Sequence, residues 1–75
     1  MVSIFNTKHI EWVDDGETSL CYFEIFVDSA SELPSDPYYF STASGKYKLA
    51  QGSLGYDIGG KAMYMMKSDG TWVQQ

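Results

Sequence analysis

The sequence of 75 residues contains no arginine, one cysteine, one histidine and two prolines. Each scarcity removes a class of protein. Without arginine, no side chain can grip a phosphate bidentately or read a guanine edge. Five lysines against ten acids leave a net charge of −5. Direct binding to nucleic acid is therefore not expected, because phosphate neutralisation needs clustered cations. A single cysteine, Cys21, cannot close an intrachain disulfide or build a cysteine-based zinc site. No apolar run approaches the 18 or so residues of a membrane-spanning helix. The start, Met1-Val2-Ser3-Ile4-Phe5-Asn6, lacks the basic-then-apolar pattern of a signal peptide.

Aromatic residues are abundant: six tyrosines, four phenylalanines and two tryptophans, 16% of the chain. That content argues against disorder, which goes with few aromatics. A chain this short buries only about 60% of the surface that its unfolded form exposes. The expectation is one small domain over residues 1–75 with a dense core.

Charge is uneven along the chain. Residues 1–37 carry eight acids and one lysine, net −7, while residues 38–75 carry two acids and four lysines, net +2. Two ends of different sign suit head-to-tail contacts between molecules.

Turn signals recur at short intervals: Asp14-Asp15-Gly16, Ser44-Gly45, Gly59-Gly60 and Asp69-Gly70. These pairs supply the positive φ angles of tight turns. The segments between them are rich in β-branched and aromatic residues, as strands are. Ser19–Asp28 is the clearest strand, with Cys21, Phe23, Ile25 and Val27 on one apolar face and Leu20, Tyr22, Glu24 and Phe26 on the other. Lys8–Val13 is expected to pair with it across the Asp15-Gly16 turn, with Ile10 and Trp12 sharing a face. Ser29-Ala30-Ser31-Glu32 matches a capping box, but Pro34 and Pro37 allow only one helical turn or a loop. Further strands are expected at Tyr38–Thr42, Lys46–Ala50, Ser53–Ile58, Lys61–Lys67 and Thr71–Val73. Gly52 and Gly55 indicate bulges or close backbone approach. The pattern predicts an all-β fold of six to seven short strands, as a small antiparallel meander, an open barrel or a sandwich. Trp12, Phe23, Ile25 and Tyr64 are the expected core.

The inventory of reactive groups is thin. His9 and Cys21 can meet across the first hairpin, but a nucleophile and its base need a third group to orient them. The Asp14-Asp15-Gly16-Glu17 cluster lacks the spacing of an EF-hand, and it reads as a solvated hairpin tip. Gly52-Ser53-Leu54-Gly55 and Gly59-Gly60 open no helix, so they form no phosphate-cradling loop. No catalytic residue, metal ligand or cofactor is predicted, and the chain does not read as an enzyme.

The aromatic surplus points instead to contacts. Tyr38, Tyr39 and Phe40 place rings on both faces of one expected strand. Lys61–Lys67 places Ala62, Tyr64 and Met66 on one face and Met63 and Met65 on the other. One face fills the core, and the other needs either a second internal layer or a partner. Exposed apolar patches mark interaction sites, and Tyr, Trp and Met are enriched there. The candidate interface comprises Tyr38, Tyr39, Phe40, Met63 and Met65, with Lys61 and Lys67 as rim charges.

The stretch Phe26-Val27-Asp28-Ser29-Ala30-Ser31-Glu32-Leu33-Pro34, then Lys48-Leu49-Ala50-Gln51-Gly52-Ser53 and Tyr56-Asp57-Ile58, leads to Met63-Tyr64-Met65-Met66-Lys67-Ser68-Asp69-Gly70-Thr71-Trp72-Val73. Over residues 26–73 this resembles the small proteins encoded in structural-gene clusters of tailed bacteriophages and prophages. The resemblance implies a virion-associated role at the capsid or the tail, in host cytoplasm before assembly. It implies partners among virion structural proteins or further copies of the chain, and it transfers no catalytic residue. The competing reading is a small acidic inhibitor of a host nucleic-acid enzyme, either a DNA mimic or an anti-defence protein, since eight of the ten acids lie in the first half.

Overall fold

A computed structural model describes residues 1–41, 43 and 45–75. Among the described residues, six strands form one open sheet: β1 (Ser3–Val13), β2 (Thr18–Val27), β3 (Lys46–Leu49), β4 (Leu54–Asp57), β5 (Ala62–Met66) and β6 (Trp72–Gln74). The fold is all-β, with six strands in the range the sequence predicts. The sheet order is β1-β2-β4-β5-β6, and β3 also pairs with β2.

Antiparallel hairpins stand at both ends of the sheet. β1 pairs with β2 across the Asp14–Glu17 turn, and β4, β5 and β6 follow one another as a meander. Asp14, Asp15 and Gly16 all take positive φ, as the Asp-Gly signal demands. Between the hairpins the pairing is parallel: β3 runs along Thr18–Cys21 and β4 along Glu24–Val27 of the same β2 edge. A parallel neighbour requires a long crossover, and residues 28–45 supply it. The crossover opens with a 3-10 turn, Ala30–Glu32, capped by the Ser29 hydroxyl accepting from Ser31 N–H. The Glu32 carboxylate reaches back to accept from Asp28 N–H at 2.8 Å. The sequence located this cap, but the mixed pairing lay beyond it.

β3 and β4 behave as one strand interrupted at Ala50–Ser53. Ala50 N–H still donates to Cys21 O at 2.8 Å. One step along, the Ser53 hydroxyl replaces the missing backbone carbonyl and accepts from Phe23 N–H at 3.1 Å. Ser53 is fully buried. Gly52, at φ +89°, makes the turn that puts it there.

The core lies on one face of the sheet. Cys21, Phe23, Ile25, Leu49 and Met66 form it, with Val2, Leu33, Phe40 and Trp72 packed against them. The alternation expected for β2 is borne out, since Cys21, Phe23, Ile25 and Val27 are all buried. The crossover roofs this face. Phe40 stacks on Phe23 with centroids 4.7 Å apart, and Leu33 sits over Gly55, where a Cβ would lie 2.5 Å from Leu33 Cδ2. Gly55 therefore marks the close approach its strand position suggested.

Several expectations are corrected. Tyr38–Thr42 is not a strand over its described part: residues 37–40 form hydrogen-bonded turns, with Tyr39 N–H on Asp36 O and Ser41 N–H on Tyr38 O. Pro37 and the cap of Asp36 on Tyr38 N–H hold the chain in a turn there. Thr42, and Ser44 of the expected Ser44-Gly45 turn, lie outside the described residues. Trp12 is not core; it is 63% exposed on the edge strand β1, where no second layer reaches it. Tyr64 is half-buried, because only part of β5 lies under the roof. Ile10 does not alternate with Trp12, because a bulge separates His9 from Glu11. At Gly59-Gly60 the positive φ belongs to Lys61 instead. Gly59 serves close approach, since a Cβ there would lie 2.4 Å from Asp28 O.

Candidate functional site: the open face of the sheet

The second face of the sheet carries two apolar rows that cross the strands. In the first, Phe26 of β2 stands beside Tyr56 of β4, which stands beside Met63 of β5. Phe5, the extra residue of a bulge in β1, extends the row, with its ring 5.3 Å from that of Phe26. In the second row, Glu24 stands beside Leu54, then Met65, then Val73 of β6. Phe26, Met63, Met65 and Val73 are 36–43% exposed, whereas the core residues of the other face are at most 4% exposed. Phe5, Phe26, Leu54, Tyr56 and Met63 line a groove of about 200 Å³. The two rows leave Phe5, Phe26, Met63, Met65 and Val73 exposed, whereas the far end of the same face is closed, with Thr18 fully buried and Tyr38 lying against Lys48 and Asp14.

Its one central charge is tempered locally. Tyr22 donates its hydroxyl to Glu24 Oε2 at 3.0 Å. Burial, and then this hydrogen bond, push the Tyr22 hydroxyl above its ordinary pKa. The Tyr22 phenol therefore keeps the proton of this hydrogen bond at neutral pH.

The seven interface residues expected from the sequence do not share one surface. Met63 and Met65 lie on the open face. Lys61 and Lys67 flank β5 at its opposite ends, with Lys67 Nζ 3.8 Å from Asp69. Phe40 belongs to the roof of the other face. Tyr39 is exposed, edge-on to Phe40. Tyr38 donates its hydroxyl to Asp14 at 3.0 Å and carries Lys48 Nζ 5.4 Å above its ring. Its hydroxyl pKa is raised by the Asp14 hydrogen bond. Phe5, Phe26, Leu54, Tyr56 and Val73 were missed. Phe26 was legible from alternation along β2, whereas Tyr56 needed the crossover register and Phe5 the bulge.

His9 and Cys21 do stand opposite each other. Ser19 lies between them, its Oγ 2.5 Å from His9 Nδ1 and 3.1 Å from Cys21 Sγ. Ser19 is 6% exposed and Cys21 2%, so neither oxygen nor sulfur is offered to a substrate. The other described contact of the His9 ring is Trp12, with centroids 5.0 Å apart. Among the described contacts no carboxylate orients the ring, as the third member of a catalytic triad would. The contacts satisfy a buried hydroxyl and lock the hairpin. The acidic tip is likewise tied down, Asp14 to Tyr38 and Glu17 to Lys46 at 3.9 Å. No group of three or more potential metal ligands occurs among the described residues. No helix among them is long and apolar enough to cross a membrane.

No family model, curated protein or solved structure matches the chain.

Proposed function

We propose that the chain is a non-catalytic assembly protein whose open sheet face is covered by a partner protein. The observation that supports this reading is the pair of apolar rows, Phe5-Phe26-Tyr56-Met63 and Leu54-Met65-Val73, in which Phe5, Phe26, Met63, Met65 and Val73 are exposed and Leu54 and Tyr56 half-buried. Aromatic and methionine side chains are the ones that anchor protein interfaces. The resemblance of residues 26–73 to small proteins of tailed-phage structural-gene clusters supplies the partner's class, a virion shell or tail protein.

Two measurements test this. Mass spectrometry of purified particles should find the chain at a fixed ratio to a major structural protein; its absence overturns the virion role. Replacing Met63 and Met65 together by serine should abolish incorporation while the variant remains folded by circular dichroism. Normal incorporation of that variant overturns the open face as the contact. The acidic-inhibitor reading needs carboxylates in a phosphate-like row, and no observation favours it over the first.

A further inference from the structure

The longest strand is also an unpaired edge. β1 stands at the end of the sheet order, and among the described residues nothing pairs with its outer side. Ten of its eleven residues are exposed. Ile4, Phe5, Ile10 and Trp12 among them are 51–67% exposed. The opposite edge, β6, has only three residues. A long, apolar, unpaired edge is a template for another strand. We propose that two copies of the chain join through their β1 edges, antiparallel, about a two-fold axis between His9 and Ile10 that runs perpendicular to the sheet. Each Lys8 then stands opposite Glu11 of the other copy.

The strand's own pattern singles out a second copy as the occupant. Opposed residues of an antiparallel pair point to the same face of the sheet. Lys8 pairs with Tyr22, and Glu11 with Leu20. Tyr22 and Leu20 are two positions apart on β2, so Lys8 and Glu11 share the open face. In a regular strand, residues three apart would point to opposite faces. The bulge between His9 and Glu11 brings them together.

The same holds outward from that centre. Thr7 and Trp12 pair with Phe23 and Ser19, which puts both on the roofed face. Asn6 and Val13 pair with Glu24 and Thr18, which puts both on the open face. Three nested pairs, Lys8 with Glu11, Thr7 with Trp12 and Asn6 with Val13, are therefore matched in face about one point. In the two-fold pairing each occurs twice, so two Lys–Glu contacts form. Bulges and a lysine ordinarily blunt an edge. Here Glu11 answers the lysine in a second copy, and the bulge sets the register. The joined sheet keeps both open apolar faces on one side, continuous across the axis. This contact involves an edge rather than a face and goes beyond the proposed function.

Charge exchange tests it. Lys8→Glu and Glu11→Lys should each weaken dimerisation about tenfold in sedimentation equilibrium at low salt, because each converts two cross-strand attractions into repulsions. The double exchange should restore the wild-type constant to within about threefold. Generic repulsion between chains of net charge −5 predicts the reverse for Glu11→Lys, which lowers the negative charge. A wild-type monomer at millimolar concentration overturns the proposal. So does tighter dimerisation of Glu11→Lys, or failure of the double exchange to restore it.

Folding of each variant is checked by circular dichroism, and both positions are exposed. A second measurement does not depend on charge. Opposed Cα atoms lie about 4.5–5.5 Å apart, within disulfide reach. Under oxidation, a mixture of Lys8→Cys and Glu11→Cys chains should form the mixed crosslink; if neither chain prefers the other, the register is wrong. The Met63 and Met65 variants lie on β5, away from this edge, so the two proposals fail independently.

Discussion

Trp72 donates its indole N–H to the carbonyl oxygen of Pro34 at 2.7 Å, tying the last strand to the crossover between β2 and β3. The two residues are far apart in sequence. They meet because the crossover must return over the sheet to deliver β3 and β4 parallel to β2. The bond holds the roof on the core face, away from the apolar rows of the other face. The roof's position is thus what gives the molecule a core side and a contact side.

Trp72→Phe should keep most of the packing against Leu33 and Gly55 but lose this bond. Pro34 is buried, so its carbonyl would be left unpartnered at a cost of about 1–3 kcal/mol. Urea unfolding measures it. A change within experimental error would mean that the roof is held by packing alone.

Ser53→Ala should cost a similar amount, about 1–3 kcal/mol, by stranding the buried N–H of Phe23. Ser53→Thr keeps the hydroxyl but adds a methyl at a fully buried position, so it tests space rather than the bond. Amide exchange at Phe23 should accelerate in the alanine variant more than at its neighbours.

The extent of sequence legibility follows from the range of each interaction. β2 was readable because its period-two apolar face, Cys21 to Val27, is a local property of one strand. The Asp15-Gly16 turn and the Ser29 cap were readable for the same reason. What escaped was non-local. The parallel pairing of β2 with β3 and β4 depends on how residues 28–45 travel, and no local pattern encodes that path. Trp12 was misplaced because an apolar side chain on a strand reads as core whether or not a second layer covers it. Tyr38–Phe40 have strand-like composition, yet Pro37 and Asp36 set a turn around them. Of the open face, Met63 and Met65 were legible from alternation along β5, and Phe26 from alternation along β2. Tyr56 required the register between strands and Phe5 the bulge.

Gly59→Ala should destabilise the β4–β5 turn by about 1–3 kcal/mol. The added Cβ would lie 2.4 Å from the Asp28 carbonyl oxygen, a backbone atom that cannot swing aside. It would also disturb the Gly59 N–H to Asp28 O bond of 3.2 Å. Alanine at Gly16, where no atom lies within 4 Å, would meet no clash, and its cost comes from the positive φ alone. Thermal melts of the two variants separate clash from backbone strain.

Acid should loosen the β5–β6 turn through Asp69. The Thr71 hydroxyl, and then the Thr71 N–H, hold the Asp69 carboxyl below its ordinary pKa. A depressed folded-state value stabilises the fold above the unfolded value of about 3.9, and that stability is lost as pH falls through the folded value. Wild type and Asp69→Asn should therefore differ in stability near neutrality and converge as pH falls below about 4. A difference that stays constant across that range would show that the carboxylate's charge contributes nothing.

The two faces of the sheet should respond unequally to truncation. Phe23 is 2% exposed and stacked on Phe40, so Phe23→Ala should cost about 3–5 kcal/mol. That is a large share of the stability of a domain this small. Met63 and Met65 are 38% and 39% exposed. Replacing both with serine removes only the half-buried part of each side chain and should cost less than Phe23→Ala, about 1–2 kcal/mol in total. The serine variant should also be more soluble, since an exposed apolar patch is an aggregation site when no partner covers it. Guanidinium unfolding of the two variants side by side checks the contrast. A large loss on the methionine side would mean that the open face is already covered within the chain, and the assembly reading would lose the observation that supports it.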